Sequence, residues 1–132
     1  MKKSVIKIPS DIGEIRKVSC RIIEDVGPRE KIESKVFDIR LCTEEAVRNA
    51  IVHGNKNDPA KSVTVAYWVD GGNLHIEVSD EGSGFDYRNL PNPTANENIM
   101  KNSGRGVYLI RRLMNKVEFN ETGNVIRMTK HL

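Results

Sequence analysis

Asp38-Ile-Arg-Leu-Cys-Thr-Glu-Glu-Ala-Val-Arg-Asn-Ala-Ile-Val-His-Gly-Asn-Lys56 is the stretch on which the reading of this chain turns. Apolar residues at Ile32, Val36, Ile39, Ala46 and Ala50, with Phe37, Val47 and Ile51 one position offset, recur every three or four residues. That spacing predicts a long amphipathic helix with one buried stripe. Gly54 suits the left-handed position that ends a helix. Glu45 and Asn49 lie beside the stripe, one turn apart on the same face, so an acid and an amide can reach into one cleft. In isolation such a pair also fits the solvated edge of an ordinary helix. Its chemistry suits Mg²⁺, which takes oxygen ligands and is usually held by one or two protein groups together with phosphates. His53 extends the row by another turn, either as a partner for the helix dipole or as a pocket wall.

Size and composition narrow the rest. A chain of 132 residues, 38 % hydrophobic and 30 % charged, fits one soluble domain spanning 1–132 that buries its own core. No apolar run approaches the ~20 residues of a membrane span. Met1-Lys-Lys-Ser-Val-Ile-Lys-Ile-Pro9 lacks the apolar centre of a secretory signal, so a cytoplasmic location is expected. Without such a signal, Asn120-Glu-Thr122 is a chance glycosylation match. With 21 basic and 18 acidic residues, the charge is too even to indicate direct nucleic-acid binding. Lys101, Arg105, Arg111, Arg112 and Lys116 do gather positive charge late in the chain, facing solvent, a phosphate or a partner. Cys20 and Cys42 fall at apolar positions of separate helices, with neither metal-ligand nor redox spacing, and are expected to be buried thiols.

Around the central helix, residues 4–8 read as a strand stopped by Pro9. Ser10 or Asp11 can cap a first helix that sends Ile12, Ile15, Val18, Ile22 and Ile23 into the core and ends at Gly27-Pro28. Arg16, Lys17 and Arg21 are left on its outer face, as solvated side chains or a docking surface. Residues 62–69 and 73–79 form two strands joined through Asp70-Gly-Gly72, with His75 on the solvent face. Asp80-Glu-Gly-Ser-Gly84 closes the second strand. Gly82 and Gly84 permit close backbone approach there, and Asp80 offers a fixed acceptor. Residues 86–103 are irregular and rich in asparagine, with two prolines, as a lid would be. Ser103-Gly-Arg-Gly106 then opens a helix from Val107 to Asn115, presenting N–H groups and a positive dipole end to anions. Neither a P-loop nor a complete G-x-G-x-x-G is present. A closing hairpin, 116–120 and 124–130 around Gly123, completes an α/β two-layer sandwich: a mostly antiparallel mixed sheet with helices on one face.

Glu45 to Asn49, Asp80 to Gly84 and Ser103 to Gly106, in this order, resemble the three nucleotide-binding boxes of the GHKL ATPase superfamily, whose histidine-kinase-like fold is of the Bergerat type. Within it, Glu45-Ala-Val-Arg-Asn-Ala-Ile-Val-His-Gly-Asn-Lys-Asn-Asp-Pro59, Ser103-Gly-Arg-Gly-Val-Tyr-Leu-Ile110 and the ending Ile126-Arg-Met-Thr-Lys-His-Leu132 are most similar to the bacterial anti-sigma factor serine kinases.

That resemblance implies ATP and Mg²⁺ as cofactors, and γ-phosphoryl transfer to a serine of an anti-anti-sigma partner carrying a STAS domain. It also implies sequestration of a sigma factor or analogous regulator, and allows a homodimer. By the same resemblance Glu45 is the catalytic base or orienting group and Asn49 the metal ligand. Asp80 accepts from the adenine amine, and Gly104, Arg105 and Gly106 hold the phosphates, with His53, Gly82, Gly84 and Ser103 completing the nucleotide site. An alternative keeps ATP as a conformational ligand of a partner-capturing module without phosphoryl transfer. Two departures stand out: Asn124 follows Gly123 where many relatives have threonine, and Ser103 replaces a glycine.

Overall fold

Alternating apolar residues build the sheet, and the register shows which face they share. The computed structural model describes residues 2–27, 29–82 and 102–132, with the backbone alone at 29, 30 and 102–105. Strand β1 (Ser4–Pro9) pairs with β2 (Ser62–Asp70), which turns back into β3 (Asn73–Ser79). Gly71 (φ 58°) and Gly72 (φ 79°) both take the left-handed conformation that a tight two-residue hairpin turn needs. Strands β4 (Lys116–Phe119) and β5 (Val125–His131) form the second hairpin, and β5 lies against β3. The order is β1-β2-β3-β5-β4, and every described pairing is antiparallel.

Val65 faces Val78, Val78 faces Ile126, and Ile126 faces Phe119, while Tyr67, Ile76, Met128 and Val117 form the next row. These rows share one core with the three helices α1 (Ile15–Val26), α2 (Arg29–Asn49) and α3 (Asn102–Leu113). The opposite sheet face carries Trp68, stacked on His75 with ring centroids 5.2 Å apart and approached by Lys3 and Arg127. His75 is thus on the face expected for it, half-buried by its neighbours.

Lys130 crosses from β5 to the helical layer. Though 7 % exposed, it donates to Asp38 Oδ2 of α2 at 2.8 Å and to the Leu113 carbonyl at the end of α3. No helix among the described residues is long and apolar enough to cross a membrane.

Several expectations need correction. Ile12 is 61 % exposed because Asp11 caps a separate 3₁₀ turn, Ile12–Glu14, and α1 starts only at Ile15. Phe37 is 70 % exposed, since it lies about 200° around the helix from buried Ile39. Cys42 is buried, but Cys20 points outward beside the buried Ser19. Helix α3 begins at Asn102 and ends at Leu113, so Ser103 to Gly106 lie inside it rather than ahead of it. The expected lid, 86–103, lies outside the described residues except for its last two positions, which are helical.

Candidate active site

The end of α2 creates the first wall. After Asn49 the chain widens into a π turn, Ala50–Gly54, closed by Asn55 N–H to the Ala50 carbonyl at 2.8 Å. Such local widening is frequent at functional sites. The left-handed residues that follow are Lys56 (φ 54°) and Asn57 (φ 59°), not Gly54 as expected. Gly54 is required for another reason: a Cβ there would fall 2.4 Å from the Asp80 carboxylate. A Cβ on Gly82 would meet the Gly54 carbonyl oxygen at 2.1 Å. Absence of side chains lets the helix end and the turn after β3 press together.

Asp80 is held on both sides of its own Cα. Its N–H donates to the Asn124 carbonyl at 3.0 Å, and its Oδ1 accepts from Gly82 N–H at 2.8 Å. Burial pushes the carboxyl above its ordinary range, opposed by the Gly82 hydrogen bond and the Lys61 charge. An anion kept partly from water in a cleft is a functional-site feature.

The third segment arrives with α3. Gly106 is buried, and a Cβ there would come within 3.0 Å of both Asn49 Nδ2 and Glu45 Oε2. Glu45 Oε1 meanwhile accepts from Arg48 Nη1 at 3.1 Å, which leaves Oε2 directed at α3. The N–H groups of the first helical turn, Asn102 to Arg105, have no partners within the helix itself and suit an anion. The side chains of Ser103 and Arg105 and all of Gly84 lie outside the described residues.

A cavity of about 220 Å³ joins these walls. Asn49, His53, Gly54 and Asp80 line it from two of the predicted segments, and Val107 from beside the third. Glu45 and Gly82 are not among the lining residues: Glu45 faces Gly106, and Gly82 faces the Gly54 carbonyl. Phe119, Val78 and Ile126 supply apolar walls, and these were read from the sequence only as strand or core residues. Their signal was present in the β3, β4 and β5 alternation, but only the register sets the three side by side in one row along the cavity.

Asn124 also lines the cavity. Its Oδ1 accepts from Asn120 Nδ2 at 2.6 Å and Thr122 Oγ1 at 2.9 Å, which aims Nδ2 toward the Gly82 carbonyl, 3.4 Å away. The sequence marked Asn124 only as a departure. A cavity with apolar walls and a carboxylate in its lining suits an aromatic base bearing an amine. An amide oxygen beside a carboxylate suits Mg²⁺, whose remaining ligands come from water and phosphate. The missing Cβ of Gly106 leaves room beside the Asn49 amide and Glu45 Oε2.

Residues 8–130 match the family described as histidine kinase-like ATPase domain. The chain belongs to that family. It is 29 % identical over 131 residues to the serine-protein kinase RsbW of Bacillus subtilis (strain 168), covering 94 % of this chain and 80 % of the relative. It is also 32 % identical over 104 residues to the anti-sigma F factor of Geobacillus kaustophilus (strain HTA426), covering 74 % and 70 %. A serine-protein kinase RsbW of Staphylococcus epidermidis matches at 32 % over 105 residues, covering 74 % and 66 %. Within the family, the chain falls in the branch of bacterial anti-sigma factor serine kinases.

Proposed function

We propose that this chain is a single-domain, ATP-dependent protein-serine kinase that works as a partner switch in the cytoplasm. It transfers the γ-phosphoryl group of Mg·ATP to a serine of an anti-anti-sigma protein with a STAS domain, and sequesters a sigma factor or analogous regulator. One observation carries the reading: Gly106 stands so near that a Cβ on it would come within 3.0 Å of both Glu45 and Asn49, while Asn49 and Asp80 line one cavity. The names of the relatives support the choice of kinase and of partner.

Each role follows from the chemistry of the group. Asp80 accepts from the exocyclic amine of adenine, between walls formed by Val78, Ile126 and Phe119. The open N–H groups at the start of α3 receive the phosphates. Asn49 would hold Mg²⁺ through its amide oxygen, and the ion supplies charge neutralisation on the triphosphate. Glu45, with Oε1 fixed by Arg48, orients the attacking serine hydroxyl through Oε2 and takes its proton. The bond from serine oxygen to the γ-phosphorus forms as the β–γ bridging bond breaks, and ADP leaves. Such a transfer depends on alignment and charge compensation more than on covalent participation of the protein.

The test is γ-labelled ATP incubated with the chain and candidate STAS-domain proteins from the same genome. Label on a partner serine, lost in Glu45→Gln, supports the kinase. A stable complex without any labelled serine overturns phosphoryl transfer and leaves a capture module.

A further inference from the structure

Asn55 is fully buried, and its side-chain amide is hydrogen-bonded through both the nitrogen and the oxygen. Its Nδ2 donates to Ser10 Oγ at 2.9 Å and to the Ser62 carbonyl at 3.0 Å, and its Oδ1 accepts from Glu81 N–H at 2.8 Å. Ser10 Oγ passes the connection on to the Lys61 carbonyl at 2.7 Å, while the Glu81 carboxylate accepts from Ser62 N–H at 2.5 Å. One amide therefore gathers the end of β1, the start of β2, the π turn and the turn after β3. With both donors and the acceptor matched, the orientation of the amide is fixed by its partners.

The neighbours of these contacts are the groups that face the cavity. Asn55 follows Gly54, on which the Asp80 carboxylate rests, and Glu81 lies between Asp80 and Gly82, which rests on the Gly54 carbonyl. The bond from Glu81 N–H to Asn55 Oδ1 is thus the side-chain tie that holds the turn against the helix end at the height where Asp80 enters the cavity. Without it, the Glu81 N–H would lose its protein partner and turn to water instead, and the turn would be free to lift from the helix end.

We propose that Asn55 is a positioning residue for base selection: through Glu81 it sets where the Asp80 carboxylate stands against the purine. This rests on the nucleotide reading given above. An acceptor at a fixed place selects adenine, which presents an amine there, over guanine, which presents a carbonyl. A displaced acceptor loses that discrimination before it loses the triphosphate contacts, which lie on other elements.

The experiment compares the dissociation constants of Mg·ATP and Mg·GTP, together with thermal midpoints, for the natural chain, Asn55→Ala and Ser10→Ala. Ser10→Ala leaves the Glu81 and Ser62 bonds of Asn55 in place, so it lowers stability while the ATP-over-GTP ratio stays. Asn55→Ala reduces that ratio at least tenfold. A folded Asn55→Ala with the natural ratio, and only a lower midpoint, overturns the inference and leaves the nucleotide reading standing. A natural chain that binds both nucleotides equally overturns base selection by Asp80 and this inference with it, and one that binds neither overturns the nucleotide reading. Amide exchange at Glu81 in the natural chain tests the tie without any substitution. It exchanges slowly in the free chain, and more slowly with ATP than with GTP, whereas the rate of an unprotected amide overturns the proposal.

Discussion

Gly106 and Asn49 meet so closely that a Cβ on the glycine would lie 3.0 Å from the amide nitrogen, and as near to Glu45 Oε2. Both opposed groups are the far ends of side chains, so Gly106→Ala folds, with a small change in melting temperature. The displaced ends are the acid and the amide of the proposed site. Transfer to a partner serine should fall by about 100-fold, as misplacement near 1 Å can cause. Unaltered transfer in Gly106→Ala would remove this contact from the mechanism.

Asp80 carries a pH dependence whose sign follows from its burial. Its carboxyl is raised above the ordinary 3.8, so in the window above that value the folded chain binds more protons than the unfolded one. Stability therefore falls as pH rises through the folded value, and the ionised carboxylate costs the free protein stability at neutral pH. Asp80→Asn keeps an acceptor for Gly82 N–H and removes the charge. Its melting temperature should match or exceed that of the parent at pH 7, with the difference closing below pH 3.8, while ATP affinity falls. Differential scanning calorimetry across pH, paired with nucleotide titration, measures both.

The two thiols should separate in a labelling experiment. Cys20 is exposed, whereas burial first, and the Asp38 charge second, push the Cys42 thiol up to about 12. A thiol-specific reagent at pH 8 should modify one cysteine quickly and the second only on unfolding. Two fast equivalents would contradict the packing of α2.

Lys130 and Asp38 form a largely buried ion pair, with side-chain exposures of 9 % and 26 %. Lys130→Met strands the Asp38 carboxylate and removes a donor from the Leu113 carbonyl, so chemical denaturation should show a loss of about 3 kcal/mol. The double variant Lys130→Met with Asp38→Leu should recover part of it, because no unpaired charge remains.

Much of this architecture was legible in the residues. Period-two alternation located β2 and β3 to within a residue, and Asp70-Gly-Gly72 fixed their turn, because local sterics decide those features. Glu45, Asn49 and Asp80 were named from their spacing and their motif, and the fold brings their segments together. What stayed hidden depends on partners distant in sequence. Gly54 read as a helix terminator because its contact with Asp80 spans the whole β2–β3 hairpin. Asn55 stood only at the end of the long helix, although its three partners lie just after β1, at the start of β2 and in the turn after β3. Phe37 fitted a helical period one position offset, and only the packing of α1 against α2 decides which side is buried.

In the proposed function, one metal–nucleotide complex occupies the space between α2, the turn after β3 and the start of α3. Calorimetric titration of ATP into the natural chain and Asn49→Ala, each with and without Mg²⁺, tests it most directly. The natural chain should bind in a Mg²⁺-dependent way, and Asn49→Ala should lose roughly tenfold or more, about 1.4 kcal/mol, with little remaining response to the metal. Equal affinities in the two proteins, equally dependent on Mg²⁺, would contradict it.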